Sequence, residues 1–114
     1  MQQGPEADKI YIAHMLECID RVLAYTANGQ EIFMQSSMVQ DAVIRNLQTM
    51  AESSQRLSEP TKSLSPQTPW RAISGFRNII VHDYLGLDLD VVWSVVEKEL
   101  PALQSALRQL QPVI

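Results

Sequence analysis

Cysteine is nearly absent from this chain of 114 residues, in which Cys18 is the single example. One thiol cannot form an internal disulfide, which argues against a disulfide-stabilised secreted scaffold. No group of Cys and His residues has metal-ligand spacing, which argues against a zinc site. Cys18 lies in an apolar periodic segment, and we expect it to be a buried, inert thiol.

Long apolar runs are missing as well. No run approaches the roughly 20 apolar residues that a membrane helix needs, and residues 1–6 lack the basic and then apolar order of a signal peptide. We therefore expect a cytoplasmic protein without membrane contact. Apolar residues at 46% and charged residues at 19% are ordinary for globular proteins, so residues 1–114 are predicted to form one domain.

The sequence also lacks strand signals, because no stretch alternates strictly between apolar and polar residues and no hairpin turn stands between two such stretches. Apolar residues instead recur every three or four positions, which is the period of an amphipathic helix. No internal repeat is present. The pattern predicts an all-α fold, an antiparallel bundle of four or five helices.

Residues with special backbone preferences mark the first helix boundaries. Asn28-Gly29 ends the helix that begins at Pro5, residues 30–36 form a short helix or a turn, and Ser37 caps the next long helix. Residues 58–68 contain two prolines and several hydroxyl residues. We expect a surface loop there, with no helix running through it.

The second half has its own boundary signals. Thr68 is predicted to cap, and Pro69 to open, a helix that Gly86 ends. Asp88 is predicted to cap the last helix, which Pro101 should kink or split.

A shortage of positive charge limits the partners of this chain. The formal net charge is −4, whereas nucleic-acid binders usually carry a broad basic surface. Any contact with nucleic acid must come from a local concentration of Arg and Lys, or from two chains that bring their sites together. Trp70 lies on an apolar row with Ile73 and Ile80, so we expect a core aromatic rather than a base-stacking platform.

What the chain does contain is an apolar run, residues 76–84, that is interrupted by ionisable and hydrogen-bonding side chains. On a helix Asn78 and His82 stand one turn apart, and Arg77 and Tyr84 coincide at a spacing of seven residues. Two neighbouring polar rows therefore share one edge of the helix, and the apolar residues of the same stretch remain for burial.

These residue types suit phosphate chemistry. Arg77 can hold two phosphate oxygens, His82 can exchange a proton near neutral pH, and Asn78 can fix the orientation of the ring. Together they suffice in principle for RNA cleavage without a metal. No residue in the row binds Mg²⁺ well. We therefore expect no metal and no cofactor. Glu52 follows the apolar pair Met50-Ala51. Its side chain is either directed toward the same groove as the stretch of residues 76–84, or it is an exposed helix carboxylate. A hydrogen-bonded cluster that only fixes helix packing is the alternative for the whole row.

The polar row reads Arg77-Asn78, then three apolar residues, then His82-Asp83-Tyr84. This pattern resembles the signature of HEPN domains, specifically of the HepT-like toxins. The resemblance covers nearly the whole chain. Its further matching stretches are residues 40–47, 69–71, 87–93 and 100–101. Glu52 also matches the subgroup, although Ala51 stands where the subgroup typically has glycine.

The resemblance implies a HEPN-like all-helical homodimer whose two signature helices face one cleft. It further implies a metal-independent RNA endonuclease toxin of a type VII toxin–antitoxin system, with Arg77 and His82 catalytic and Asn78 and Glu52 supporting. The implied partner is an MNT-type nucleotidyltransferase antitoxin that transfers AMP onto Tyr84. An AMP group there would place negative charge where an RNA phosphate should bind.

Two other functions remain open on the sequence. The chain could be a non-catalytic nucleotide-binding or adaptor subunit that presents a substrate to the nucleotidyltransferase. It could also be a purely structural helical dimer in which the polar row serves packing.

Overall fold

The computed structural model describes residues 4–83 and 88–114, with the backbone alone for residue 5 and for residues 77–83. All regular elements in these ranges are helical, which confirms the predicted all-α fold. In chain order they are α1 (Pro5–Tyr25), α2 (Gln30–Gln35), α3 (Ser37–Gln55), α4 (Glu59–Ser63), α5 (Trp70–Asp83), α6 (Leu89–Ser94), a π-helical turn (Val95–Glu99), α7 (Leu100–Leu110) and a 3-10 turn (Gln111–Val113).

The core lies between the long helices. α3 packs against both α1 and α5, and α1 also packs against α7. One cluster of buried apolar side chains forms the core. Each of these four long helices contributes to it, with Ile12, Leu47, Phe76 and Leu107 as examples. Cys18 is part of this cluster and only 1% exposed, so the predicted buried thiol is confirmed. Burial raises the pKa of Cys18, which disfavours the reactive thiolate.

The end of α1 follows the sequence signals. The carbonyl of Val22 accepts two hydrogen bonds from Thr26, one from its backbone N–H at 3.0 Å and one from its hydroxyl at 2.8 Å. Gly29 then takes a φ of 96°, in the left-handed region that favours glycine. α2 follows immediately, at Gln30.

The cap of α3 is Ser36, and not Ser37 as predicted. The Ser36 hydroxyl accepts a hydrogen bond from the backbone N–H of Val39 at 3.2 Å. Because α2 continues to Gln35, Ser36 is the extended residue between two helices, and Ser37 already lies in the first turn.

The predicted loop of residues 58–68 contains a helix, α4, so that prediction was wrong. Pro60 lies in the first turn of α4, where its missing N–H removes no intrahelical hydrogen bond. The segment is also partly buried rather than only a surface loop, since Thr61, Ser65 and Thr68 are all less than 9% exposed.

α5 begins at Trp70, one residue later than predicted. The Thr68 hydroxyl pairs with that of Ser65 at 2.6 Å, and the carbonyl of Pro69 accepts the first helical hydrogen bond, from Ile73. Thr68 therefore does not cap the helix through its side chain. Trp70 packs against the core, as predicted, and is half-buried.

The C-terminal helical run is interrupted next to Pro101, as predicted. Asp88 caps α6, because its carboxylate accepts from the N–H of Asp90 at 2.9 Å. The π-helical turn follows α6, and in it the N–H of Leu100 bonds to the carbonyl of Val95, five residues earlier. Proline lacks an N–H and crowds the preceding turn, which explains the local widening. Gly86, the predicted end of α5, lies outside the described residues.

Candidate functional site

The backbone of α5 continues without a break from Trp70 to Asp83. Arg77, Asn78 and His82 are therefore residues of one α-helix, with Asn78 and His82 one turn apart. The side chains of these three residues lie outside the described part of the structure, and so does Tyr84 as a whole. The structure shows the backbone of the helix that carries the row, and the contacts between this helix and its neighbours.

Two contacts fix α5 against the end of α3. The hydroxyls of Ser54 and Ser74 are 3.1 Å apart, and the Gln55 side-chain amide donates to the carbonyl of Ser74 at 3.1 Å. Ser54 is fully buried and also donates to the carbonyl of Ala51. The last turn of α3 thus lies against the N-terminal half of α5, less than one turn before Arg77.

Glu52 lies on α3, three residues before Gln55. Gln48, Glu52 and Gln55 are spaced four and three residues apart and so form one row, and Gln55 is the member that reaches α5. Glu52 is half-buried and accepts a hydrogen bond from the Gln48 amide at 3.3 Å. The supporting role of Glu52 toward Arg77 or His82 stays a prediction.

Sequence analysis missed Gln55 and Ser74 as residues of this junction. The only available signal was the spacing of Gln48, Glu52 and Gln55, which is a common pattern on solvated helix faces. Ala51, at the position where the resembled subgroup has glycine, is fully buried.

A second polar cluster, also missed by sequence analysis, surrounds Asp8. This carboxylate is fully buried and accepts hydrogen bonds from the Ser58 N–H at 3.1 Å, the Ser58 hydroxyl at 2.5 Å and the Thr61 hydroxyl at 2.5 Å. Burial by itself raises the pKa of Asp8, but these hydrogen bonds and the nearby charge of Lys62 outweigh it, and the pKa lies below its ordinary value. The cluster joins α1 to α4 and is a structural tie.

The histidine whose side chain the structure describes, His14, is also structural. It is exposed on α1, and its Nδ1 lies 3.1 Å from the hydroxyl of Ser53 on α3. Within residues 4–83 and 88–114, no group of three or more His, Cys, Asp or Glu side chains has the arrangement of a metal site. The helices of these ranges are each too short or too polar to cross a membrane.

The fold defines a small all-helical protein, and its helix α5 carries the signature residues Arg77, Asn78 and His82. The chain belongs to the HepT-like ribonuclease family, because residues 15–110 match the family described as "Ribonuclease HepT-like". This match confirms the resemblance deduced from the residues around Arg77 and His82. It also confirms the expectation of an enzyme that cleaves RNA.

Individual relatives agree with the family match. The chain is 31% identical to the "Probable ribonuclease HepT" of Thermococcus cleftensis over 104 residues, which cover 90% of this chain and 94% of that protein. It is 32% identical to the "mRNA nuclease HepT" of Shewanella oneidensis over 113 residues, covering 78% of this chain and 84% of that protein.

A longer relative comes from Methanocaldococcus jannaschii, and its name pairs a gamma-glutamylcyclotransferase with a provisional RNase. The identity is 33% over 103 residues, which cover 90% of this chain but 46% of that protein, so the chain spans about half of its length. No solved structure matches the chain.

Proposed function

We propose that this protein is a metal-independent endoribonuclease whose catalytic residues are Arg77 and His82. The observation that carries the proposal is the unbroken course of α5 from Trp70 to Asp83, because it keeps the signature residues at helical spacing on one rigid element. Rigid elements hold catalytic groups more precisely than loops do.

In the proposed reaction, His82 accepts the proton of a ribose 2′-hydroxyl as the 2′-oxygen attacks the adjacent phosphorus. The bond from phosphorus to the 5′-oxygen breaks, and the departing oxygen takes up a proton from water. The products are a 2′,3′-cyclic phosphate and a 5′-hydroxyl end. Arg77 holds the non-bridging phosphate oxygens and stabilises the charge that builds up on them in the transition state.

Asn78 and Glu52 have supporting roles in this proposal. Asn78 lies one turn before His82 and orients the imidazole through a hydrogen bond. Glu52 belongs to the row of α3 side chains in which Gln55 bonds to Ser74 of α5. In this role the Glu52 carboxylate lies near His82 and favours the protonated imidazole once His82 has taken the proton.

Cleavage of an RNA by purified protein, measured with and without EDTA, tests the proposal. Arg77→Ala and His82→Ala should each lower kcat by at least about a hundredfold, since each removes a group that acts in the transition state. Wild-type cleavage should be unchanged by EDTA. Arg108→Ala and His14→Ala are the matched controls, because they delete the same residue types from exposed positions on α7 and α1.

Thermal unfolding of the same variants distinguishes chemistry from packing. The two α5 variants should keep the wild-type transition, because neither residue type is needed to fill the core. Loss of cleavage together with loss of the cooperative transition would instead mean that the row serves packing. A wild-type protein that binds RNA but never cleaves it would favour the adaptor function.

The antitoxin part of the proposal concerns Tyr84. We propose that the protein acts as a toxin of a type VII system and that an MNT-type nucleotidyltransferase neutralises it by transferring AMP to the Tyr84 hydroxyl. The added phosphodiester is negatively charged and follows Arg77 by seven residues, so it competes with an RNA phosphate for the same cation.

Coexpression with such a nucleotidyltransferase provides the test. Wild-type protein should gain the mass of one or more AMP groups on the peptide that contains Tyr84, and its RNA cleavage should fall. Tyr84→Phe should keep much of the cleavage and escape inhibition, whereas the control Tyr25→Phe, at an exposed position on α1, should be inhibited like wild type. An unmodified wild-type protein would exclude AMP transfer and leave the nuclease proposal standing.

A further inference from the structure

A wide depression lies beside the N-terminal half of α5, before the signature row. Its walls come from α4 and α5 and include Lys62, Trp70, Arg71 and Ser74, and its volume is about 510 Å³. Pockets of this size hold nucleotide-sized ligands. The depression is open on one side, as a groove for a chain must be.

Arg71 is the main positive group of this groove. Its side chain is exposed, and no ion pair holds it among the residues that the structure describes. A free guanidinium offers its planar fork to two phosphate oxygens at once. The net charge of the chain is −4, so a positive group in a concave site is a local concentration of positive charge.

Lys62 adds a second, weaker positive group from α4. Its ammonium lies 3.8 Å from the exposed carboxylate of Glu59, which also lines the groove. Such a long surface pair is weak, so a phosphate can replace Glu59 as the partner of the ammonium. Because Asp8 also attracts Lys62, we expect Arg71 to contribute more than Lys62.

Trp70 supplies a fixed apolar wall. Its indole N–H donates to the carbonyls of Lys62 and Ser65, both at 3.1 Å, and these bonds hold the ring in place. Although Trp70 packs against the core, it is only partly buried, and it also lines the groove. An immobilised aromatic ring next to positive groups is the usual platform for an unpaired base.

Arg71 of the groove lies on the same face of α5 as Asn78 and His82. Seven and eleven residues separate Arg71 from Asn78 and His82, so the three positions lie within about 40° of one another around α5. Along the axis, Arg71 precedes His82 by about 16 Å at 1.5 Å per residue. One strand of RNA that follows this face of α5 would contact Arg71 a few nucleotides away from the bond at His82.

We propose that this groove is a binding subsite for the backbone of single-stranded RNA, with Arg71 and Lys62 on phosphates and Trp70 against a base. The proposal rests on the proposed function, in which the α5 row cleaves RNA. The groove would be a second place where the same RNA contacts the protein. The site is one of binding, and it acts on the affinity for RNA rather than on the chemical step.

Binding is measured with a short, fluorescein-labelled, fully 2′-O-methylated RNA of mixed sequence, which has no free 2′-hydroxyl and cannot be cleaved by the proposed reaction. Lys62→Ala/Arg71→Ala should weaken its affinity by about tenfold or more. The slope of log affinity against log salt should fall by about 1.4, because each lost phosphate contact contributes about 0.7 on a single strand. Arg71→Ala alone should have a larger effect than Lys62→Ala alone.

The matched control is Lys98→Ala/Arg108→Ala, which removes the same two charges from exposed positions outside the groove. This control should change affinity by less than about twofold, since distant surface charges are screened by salt. With a cleavable RNA, the groove variant should raise KM and keep kcat, and thermal unfolding should show that both variants are folded.

Equal affinities of the groove variant and the control variant would overturn the subsite. So would a groove variant that binds RNA normally but escapes a coexpressed nucleotidyltransferase, because the groove would then be a protein-docking surface. Failure of the proposed function gives a different result, namely a wild-type protein without RNA cleavage or a His82→Ala variant that cleaves like wild type.

Discussion

The carboxylate of Asp8 has no exposed surface, yet it is charged at neutral pH because Ser58 and Thr61 surround it with three hydrogen-bond donors. A buried charge is stable only when such donors replace water. Asp8 therefore ties the first turns of α1 to the start of α4. The donors are 50 and 53 residues away along the chain.

Replacement of Asp8 by asparagine should destabilise the protein. Asp8→Asn keeps the shape but weakens three charge-assisted hydrogen bonds, and we expect a loss of about 2 kcal/mol in the free energy of unfolding. Urea unfolding followed by circular dichroism measures the change. Asp20→Asn is the matched control. Asp20 is exposed, and its described hydrogen bond comes from Gln104, so the loss should stay within about 0.5 kcal/mol.

The pH dependence of Asp8 has a definite sign. Its pKa in the folded protein lies below the ordinary value, so folding favours the charged form. The resulting stabilisation is complete above about pH 4, the unfolded value, and is lost as the pH falls through the folded pKa. The stability difference between wild type and Asp8→Asn should therefore be constant near neutral pH and shrink in acid. A difference that grew in acid would contradict this assignment.

At the scale of elements, helix beginnings were the least certain part of the sequence prediction. Both Ser36 and Ser37 are good capping residues, and their side chains alone do not decide between them. The decision comes from α2, which continues to Gln35 and leaves Ser36 as the extended residue before α3. α4 formed within a segment predicted as a loop because Pro60 fell in a first turn, the one place where a helix accepts it.

The two serines provide a direct test of the cap. Ser36→Ala should lower the free energy of unfolding by about 1 kcal/mol, because the N–H of Val39 loses its acceptor. Ser37→Ala should leave it nearly unchanged, since this residue is exposed in the first turn of α3. Thermal unfolding can resolve the pair, because about 1 kcal/mol moves the Tm by roughly 4 °C or more in a protein of this size. Equal effects of both substitutions would reject the cap.

For the whole molecule, the charge of −4 is hard to reconcile with an RNA substrate unless positive groups are concentrated locally. Two chains that place their α5 helices beside one axis would pool Arg71 and Arg77 from both. We therefore predict a homodimer, with the stretch of residues 76–84 from each chain near the two-fold axis.

Sedimentation equilibrium should give the dimer mass, and a spin label on His82→Cys in a Cys18→Ala background should report a short distance between the two labels. The control label replaces Ser105, an exposed residue on α7, and reports whether short distances are specific to α5. A monomer at micromolar concentration, or a long distance between the labels at residue 82, would contradict the prediction.

The sequence by itself determined the helical class of the fold, the buried position of Cys18, the cap at Asp88 and the interruption near Pro101, because these depend on local period and backbone preference. It also determined the family, since the spacing of Arg77, Asn78 and His82 is a local property of one helix.

Only the tertiary structure decided which distant groups meet. The ring of donors around Asp8, the contact of Ser54 and Gln55 with Ser74, and the groove that joins Lys62 to Arg71 all connect different helices. Such contacts depend on how the helices pack, and periodicity along one helix does not specify which residues of another helix face it.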